Sequence, residues 1–141
     1  MKVFLDTNII IDFYDQRADF FQPAETIMSL AEKKEINIIV SATTIINAFY
    51  ILRKRLSIDD LYEEFGNLSQ LCTISPADEK IIKESLRLRR KDFEDSVQYE
   101  SAMSVNADVI VTRNKKDFEN LGANVMTPIE FLNDFFAKKT K

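Results

Sequence analysis

Histidine is absent from this 141-residue chain, and cysteine occurs once, at position 72. Without imidazole there is no histidine general base and no histidine-ligated zinc. A lone cysteine cannot close an internal disulfide. Cys72 lies in the apolar run Leu71–Ile74 and reads as a buried, inert thiol suited to a reducing cytosol. Glycine is scarce too, at two residues, while 45% of the chain is hydrophobic and eleven residues are Phe, which excludes a disordered chain. Long apolar runs are missing: none approaches the ~20 residues that span a bilayer. The run Lys2–Leu5 is stopped by Asp6 too early for a signal peptide. A cytoplasmic protein with no membrane association is the expectation.

The length suits one domain over residues 1–141, able to bury roughly two-thirds of its unfolded surface. A net charge of −4 disfavours nonspecific binding of polyanions over the whole surface. Three local basic clusters remain, at Arg53–Arg55, at Arg87 with Arg89–Lys91, and at Lys115–Lys116. Taken singly, each reads first as a solvated helix end that complements the helix dipole.

What is present is concentrated at the start. In Met1–Asp12 an apolar run ends in Asp6, Thr7 and Asn8, and apolar residues then resume. A buried parallel strand reads this way when it delivers polar side chains to the rim of an α/β sheet. Ligands of such sheets sit outside the carboxyl ends of the strands, where Asp6 falls.

Further along, strand-like segments at 37–40, 71–74, 108–112 and 124–126 alternate with amphipathic ones. Phe20, Phe21, Ala24, Ile27, Met28 and Ala31 recur at helical spacing, as do Ile45, Ile46, Phe49, Tyr50 and Arg53. Helix starts are marked by Ser57, by Ser75 with Pro76, and by Thr127 with Pro128 and Glu130. This alternation predicts a three-layer α/β/α fold around a parallel sheet.

Acids fall at strand ends and helix starts. Asp6 closes the first strand, Asp92 and Asp95 open a helix three residues apart, and Asp117 follows the strand at 108–112. Several acids converging without His or Cys suit Mg²⁺ or Mn²⁺, and acid-only metal chemistry points to phosphate-ester hydrolysis. Each acid also has a purely structural reading. Asp92 can cap its helix, and Asp117 can complement the helix beginning after Asn114. A polar residue inside the helix is less useful for capping, so Asp95 reads as functional. Asp6 has the weakest structural reading, because a carboxylate after a buried strand is costly unless paired or metal-bound. Asp12 and Glu94 read as solvated surface acids.

These motifs together resemble the PIN domain family of metal-dependent nucleases, which includes VapC-type toxins. The resemblance covers nearly the whole chain. It rests on Phe4–Asn8, Ser41–Thr44, Asp92–Asp95 and Val111–Phe118, in this order and spacing. It implies a five-stranded parallel sheet flanked by helices, with Asp6, Asp95 and Asp117 as the acids that coordinate Mg²⁺ or Mn²⁺. Thr112 and Asn8 match polar positions supporting that site, Ser41 a small polar residue beside it, and Asp92 a supporting acid. One departure matters. Family nucleases commonly carry a glutamate in the helix after the second strand, where this chain has Asn47. An amide can lend a neutral oxygen or bond a water, but it removes one negative charge.

The resemblance therefore implies a metal-dependent endoribonuclease, the toxin of a toxin–antitoxin pair, with Asn47 assisting the acids. Its partners would be an RNA substrate, an antitoxin that blocks the cleft, and a second copy in a homodimer. Phe13, Tyr14, Phe20 and Phe21 are core candidates that could also dock such a partner. The alternative is a catalytically weakened domain acting as an RNA-binding or protein-interaction module. Two other Asp-based folds fit poorly. A phospho-receiver needs a strand-terminal Asp in a middle strand, and none occurs between Ile36 and Ile74. A haloacid-dehalogenase phosphatase needs Asp-x-Asp, and the chain offers Asp6-Thr7-Asn8.

Overall fold

A computed structural model describes residues 1–118 and 120–140. The elements run β1 (Lys2–Leu5), α1 (Thr7–Tyr14), α2 (Phe21–Glu32), β2 (Asn37–Ser41), α3 (Ala42–Leu52), α4 (Ile58–Leu71) and β3 (Thr73–Ser75). They continue with α5 (Glu79–Leu88), α6 (Phe93–Ser104), β4 (Val109–Val111), a 3-10 turn (Lys115–Asp117), β5 (Val125–Met126) and α7 (Pro128–Lys139). All four strand pairings are parallel, and the order across the sheet is β3-β2-β1-β4-β5.

The strands are short and β-branched, with both faces covered, so apolar residues follow one another instead of alternating with polar ones. Val3 and Leu5 of β1 join Ile38, Val40, Val109 and Val111 in the larger core, with residues of α1 to α4 and α7. Phe4 points the other way and meets Ile39, Ile110, Phe118 and Ala102 of α6. The expected α/β/α layering is therefore present, with a core on each side of the sheet.

Strand order creates the site. From central β1 the chain moves to β2 on one side, whereas β4 lies on the other side. Leu5 pairs with Val111, so the residues that follow them, Asp6 and Thr112, emerge together at the point where the strand order reverses. Ligand crevices of open α/β sheets lie at this point.

Several boundaries differ from those read in the sequence. Leu71 ends α4, and the Cys72 amide still donates to the Leu68 carbonyl at 3.0 Å, so the third strand begins only at Thr73. Leu71 and Cys72 close the last turn of a helix, and only Thr73 and Ile74 of the apolar run belong to the strand. Cys72 is half-buried, and burial pushes its thiol up to about 11, as an inert thiol requires. Ser75 does not cap α5. Pro76 holds its predecessor extended, Ser75 ends β3 with its hydroxyl 2.6 Å from that of Ser101, and Asp78 caps instead. Ser57 caps α4 as expected, and Thr127 with Glu130 forms a full capping box on α7. Among the described residues no helix is long and apolar enough to cross a membrane.

Candidate active site

Three polar residues of this region are also the caps of the helices that follow them. Asp6 accepts the Thr7 amide of α1 at 2.8 Å, Ser41 accepts the Thr44 amide of α3 at 3.0 Å, and Asp92 accepts the Asp95 amide of α6 at 2.9 Å. Three helix N-termini thereby carry the polar residues of this edge, and their dipoles favour negative charge there. The capping reading of Asp92 is what its side chain does.

Asp6 is 7% exposed, and four neutral donors surround its carboxylate. Oδ1 accepts from the Thr7 amide and from Gln98 Nε2 at 3.3 Å; Oδ2 accepts from Thr112 Oγ1 at 2.7 Å and Asn8 Nδ2 at 3.3 Å. Among the described residues no cation pairs with it. Burial raises its pKa above the ordinary carboxylate range, the bonds from Thr112 and Thr7 oppose the shift, and the charge of Asp117 adds to it.

Asp95 feels the same shortage of positive charge. Burial comes first, and the charges of Asp117, Asp92, Asp6 and Glu94 follow, together pushing its carboxyl up to about 7. Asp117 is exposed on the 3-10 turn, and it faces Asp95 and Asp92 across an open cleft of about 620 Å³, edged by Arg90, Lys91 and Lys116. Asp6, Asp95 and Asp117 are thus brought within each other's field from three elements.

Among the described residues, no three acids already stand at the spacing of an assembled metal centre. The donor set itself fits a hard divalent cation: carboxylate, amide and hydroxyl oxygens, without thiolate or imidazole. Uncompensated negative charge on a nine-tenths-buried carboxylate is the second sign of fit.

Gln98 is the residue the sequence reading missed. It is 1% exposed and shares its amide protons among Asp6, Thr7 Oγ1 at 3.1 Å and Thr44 Oγ1 at 2.8 Å, while its carbonyl accepts from Ser41. Spacing held the signal, because Gln98 lies three residues after Asp95 on the same face of α6.

Asp12 corrects an expectation outright. It is not solvated but 1% exposed, gripped by Arg113 through Nε at 2.7 Å and Nη2 at 3.2 Å, with Arg17 at 3.8 Å. Helix α1 buries Ile9, Ile10, Ile11 and Asp12 in succession, so even its polar side turns inward. Arg113 follows Thr112 directly, and this pair fastens the strand end that supports Asp6 to α1. Glu94 is exposed as expected, yet it accepts from Asn47 Nδ2 at 3.1 Å.

The basic clusters divide in the same way. Arg55 pairs with Asp15, Arg87 with Glu84, Arg90 with Glu100 and Lys115 with Glu130, while Arg53 lies over the Tyr50 ring. Among the described residues Lys91 and Lys116 have no such partner, and both border the cleft. Phe13, Tyr14 and Phe21 pack together near Phe65, whereas Phe20 is exposed beneath the Arg113 guanidinium.

The PIN domain family model matches residues 2–116. Over 138 residues the chain is 25% identical to "Ribonuclease VapC1" of Aquifex aeolicus, with 92% of each chain covered. Its fold is similar to that of a toxin–antitoxin complex from Klebsiella pneumoniae, with TM-score 0.67, 22% identity, and 89% and 97% of the two chains covered. It is likewise similar to VapBC2 from Rickettsia felis bound to a promoter DNA fragment, with TM-score 0.67, 19% identity, and 90% and 98% covered.

Proposed function

This chain belongs to the PIN domain family, and we propose that it is a metal-dependent endoribonuclease, one catalytic unit over residues 1–141, and the toxin of a toxin–antitoxin pair. The observation that carries the reading is the buried Asp6 carboxylate, met by four neutral donors and no cation. Asp6, Asp95 and Asp117 would hold Mg²⁺ or Mn²⁺, with Asn47 assisting and Asn8, Ser41, Thr112 and Asp92 in support.

A bound ion of this kind supplies a Lewis acid that activates water and offsets charge on a phosphodiester. The protein's own groups do the rest. Thr112, Asn8, the Thr7 amide and Gln98 fix the orientation of Asp6 before any substrate arrives. Asp95, whose carboxyl is pushed up to about 7 by burial and by the charges of Asp117, Asp92, Asp6 and Glu94, would offer its oxygens as ligands in its ionised form. Lys91 and Lys116 border the cleft, where they would hold flanking phosphates of single-stranded or structured RNA.

The named relatives, a ribonuclease and toxin–antitoxin assemblies, support this reading. A small antitoxin would insert a segment into the cleft, and a homodimer would be the assembly. Incubating a mixed RNA pool with the chelator-stripped protein tests the activity: Mn²⁺ or Mg²⁺ should start cutting and EDTA should stop it. No cutting by a folded, partner-free and metal-replete protein would transfer the weight to the alternative, a non-catalytic RNA-binding or protein-interaction module.

A further inference from the structure

Phe20 stands at the N-cap of α2, where Ser, Thr, Asp or Asn usually sits, and its side chain caps nothing. Nor is it core, at 42% exposed. The Arg113 guanidinium lies over one face of its ring at 4.0 Å. Arg113 is itself held by the buried Asp12, so ring and guanidinium form a fixed stack. Beside this stack is an open pocket of about 360 Å³, walled by Phe20 and Pro23 at the start of α2 and by Pro128 and Ile129 in the first turn of α7. Ile129 is exposed as well, so both walls leave apolar surface to water. Asp19 and Asn114 also line the pocket, and among the described residues neither side chain makes a hydrogen bond or an ion pair.

The pocket adjoins the acidic edge. The Asn114 amide donates to Thr112 Oγ1 at 3.0 Å, and that hydroxyl donates to Asp6 at 2.7 Å. Two residues of chain span at most about 7 Å, so one wall of the pocket sits beside the group that holds Asp6. Further along the same segment, Lys116 and Asp117 border the acidic cleft.

We propose that this pocket takes one unstacked nucleobase of the RNA, lying against Phe20 next to the phosphodiester held at the acidic edge; this rests on the ribonuclease reading above. Single-stranded RNA is read in this way, by bases splayed onto aromatic or guanidinium planes and bonded along their edges. The make-up of the pocket suits a flat heterocycle, with apolar walls for the ring faces and a few polar groups for its edge. Asn114 can donate and accept there, whereas the Asp19 carboxylate only accepts. Asp19 therefore favours a base with an exocyclic amine over uracil, whose edge carries two carbonyl oxygens. An aliphatic side chain of a protein partner would use neither polar group.

Fluorescence anisotropy of short single-stranded RNAs, kept uncut by EDTA, tests the assignment, with melting temperature as the control for folding. The probes are oligoadenylate, oligocytidylate and oligouridylate of one length, and an abasic strand with the same phosphates. The wild-type protein should bind oligoadenylate and oligocytidylate more tightly than the other two. Phe20→Ala should lose about tenfold in affinity for oligoadenylate, the scale of one base–aromatic stack, and nothing for the abasic strand. Ile129→Ser, on the exposed wall of α7, should act in the same direction and serves should Phe20→Ala fail to fold. Asp19→Asn should lose the discrimination against oligouridylate. Unchanged oligoadenylate affinity in a folded Phe20→Ala or Ile129→Ser protein would overturn the assignment. So would a wild-type protein that binds the abasic strand as tightly as oligoadenylate; metal-dependent cutting by that protein would leave the wider reading standing. Absence of both RNA binding and cutting would overturn both.

Discussion

The side-chain amide of Gln98 donates to the carboxylate of Asp6 at 3.3 Å across 92 residues of chain, tying the first turns of α6 to the end of β1. The same amide reaches Thr7 and Thr44, and its carbonyl takes the Ser41 proton, so one buried side chain sets the spacing of three elements. A residue in such a network matters more for what its loss strands than for any single bond.

Replacing Gln98 with Met keeps the volume and removes both amide functions. Asp6, Thr44 and Ser41 would each lose a partner while remaining buried. The expected loss is about 1–3 kcal/mol for the stranded groups together. The corresponding fall in melting temperature is roughly 3–10 °C. Urea melts of the two proteins would show it, and an unchanged midpoint would deny Gln98 this role.

Asp12 and Arg113 give a second stability prediction. Removing one member of a buried ion pair costs about 3–5 kcal/mol because the other charge is stranded. Arg113 retains some access to water and lies over Phe20, so Asp12→Ala should cost near the lower end of that range. The double variant D12A/R113M should be more stable than Asp12→Ala alone. A double variant that melts below the single one would contradict the assignment.

The pH dependence follows from Asp95. In the folded metal-free protein its carboxyl is raised to about 7, against roughly 3.9 in an unfolded chain. Between those values the folded state binds the extra proton, so this group's contribution to stability declines as pH rises from about 4 through 7. Asp95→Asn should remove the decline, and the stability difference between the variant and wild type should widen towards pH 8. Melting both proteins from pH 5 to pH 8 would reveal a gap that grows with pH; a constant gap would refute the shift.

Lys91 and Lys116 should behave as phosphate contacts. Replacing either with Ala should weaken RNA binding similarly across sequences and lower the slope of log affinity against log salt by about 0.7 for single strands. Fluorescence anisotropy of labelled RNA at several salt concentrations would measure it. A sequence-selective loss would point instead to base contacts.

Much of this was legible in the chain itself, for physical reasons. Two-sided burial makes β1, β2 and β4 read as short apolar runs, and an acid straight after such a run has few explanations other than a site. Asp6 was visible on that ground, and Thr112 and Ser41 through the family resemblance. Gln98 was not, because a single glutamine in a helix carries no pattern until the strand order brings it over Asp6. Asp12 misled for the opposite reason: a helical acid is usually solvated, and only the arrival of Arg113 after β4 gives it a buried partner. Leu71 and Cys72 looked like strand because the apolar end of a helix and a short buried strand share one composition.

The central claim is that the uncompensated charge of Asp6 is there for a cation. Its most direct test is the melting temperature of wild-type and Asp6→Asn proteins, each stripped of metal and then loaded with Mn²⁺. Asparagine caps α1 as well as aspartate does, and it buries no charge. Mn²⁺ at about a hundred times its dissociation constant should stabilise the wild type by roughly 2.7 kcal/mol and leave the variant unmoved. A wild-type protein indifferent to Mn²⁺, or a variant stabilised equally, would contradict the account.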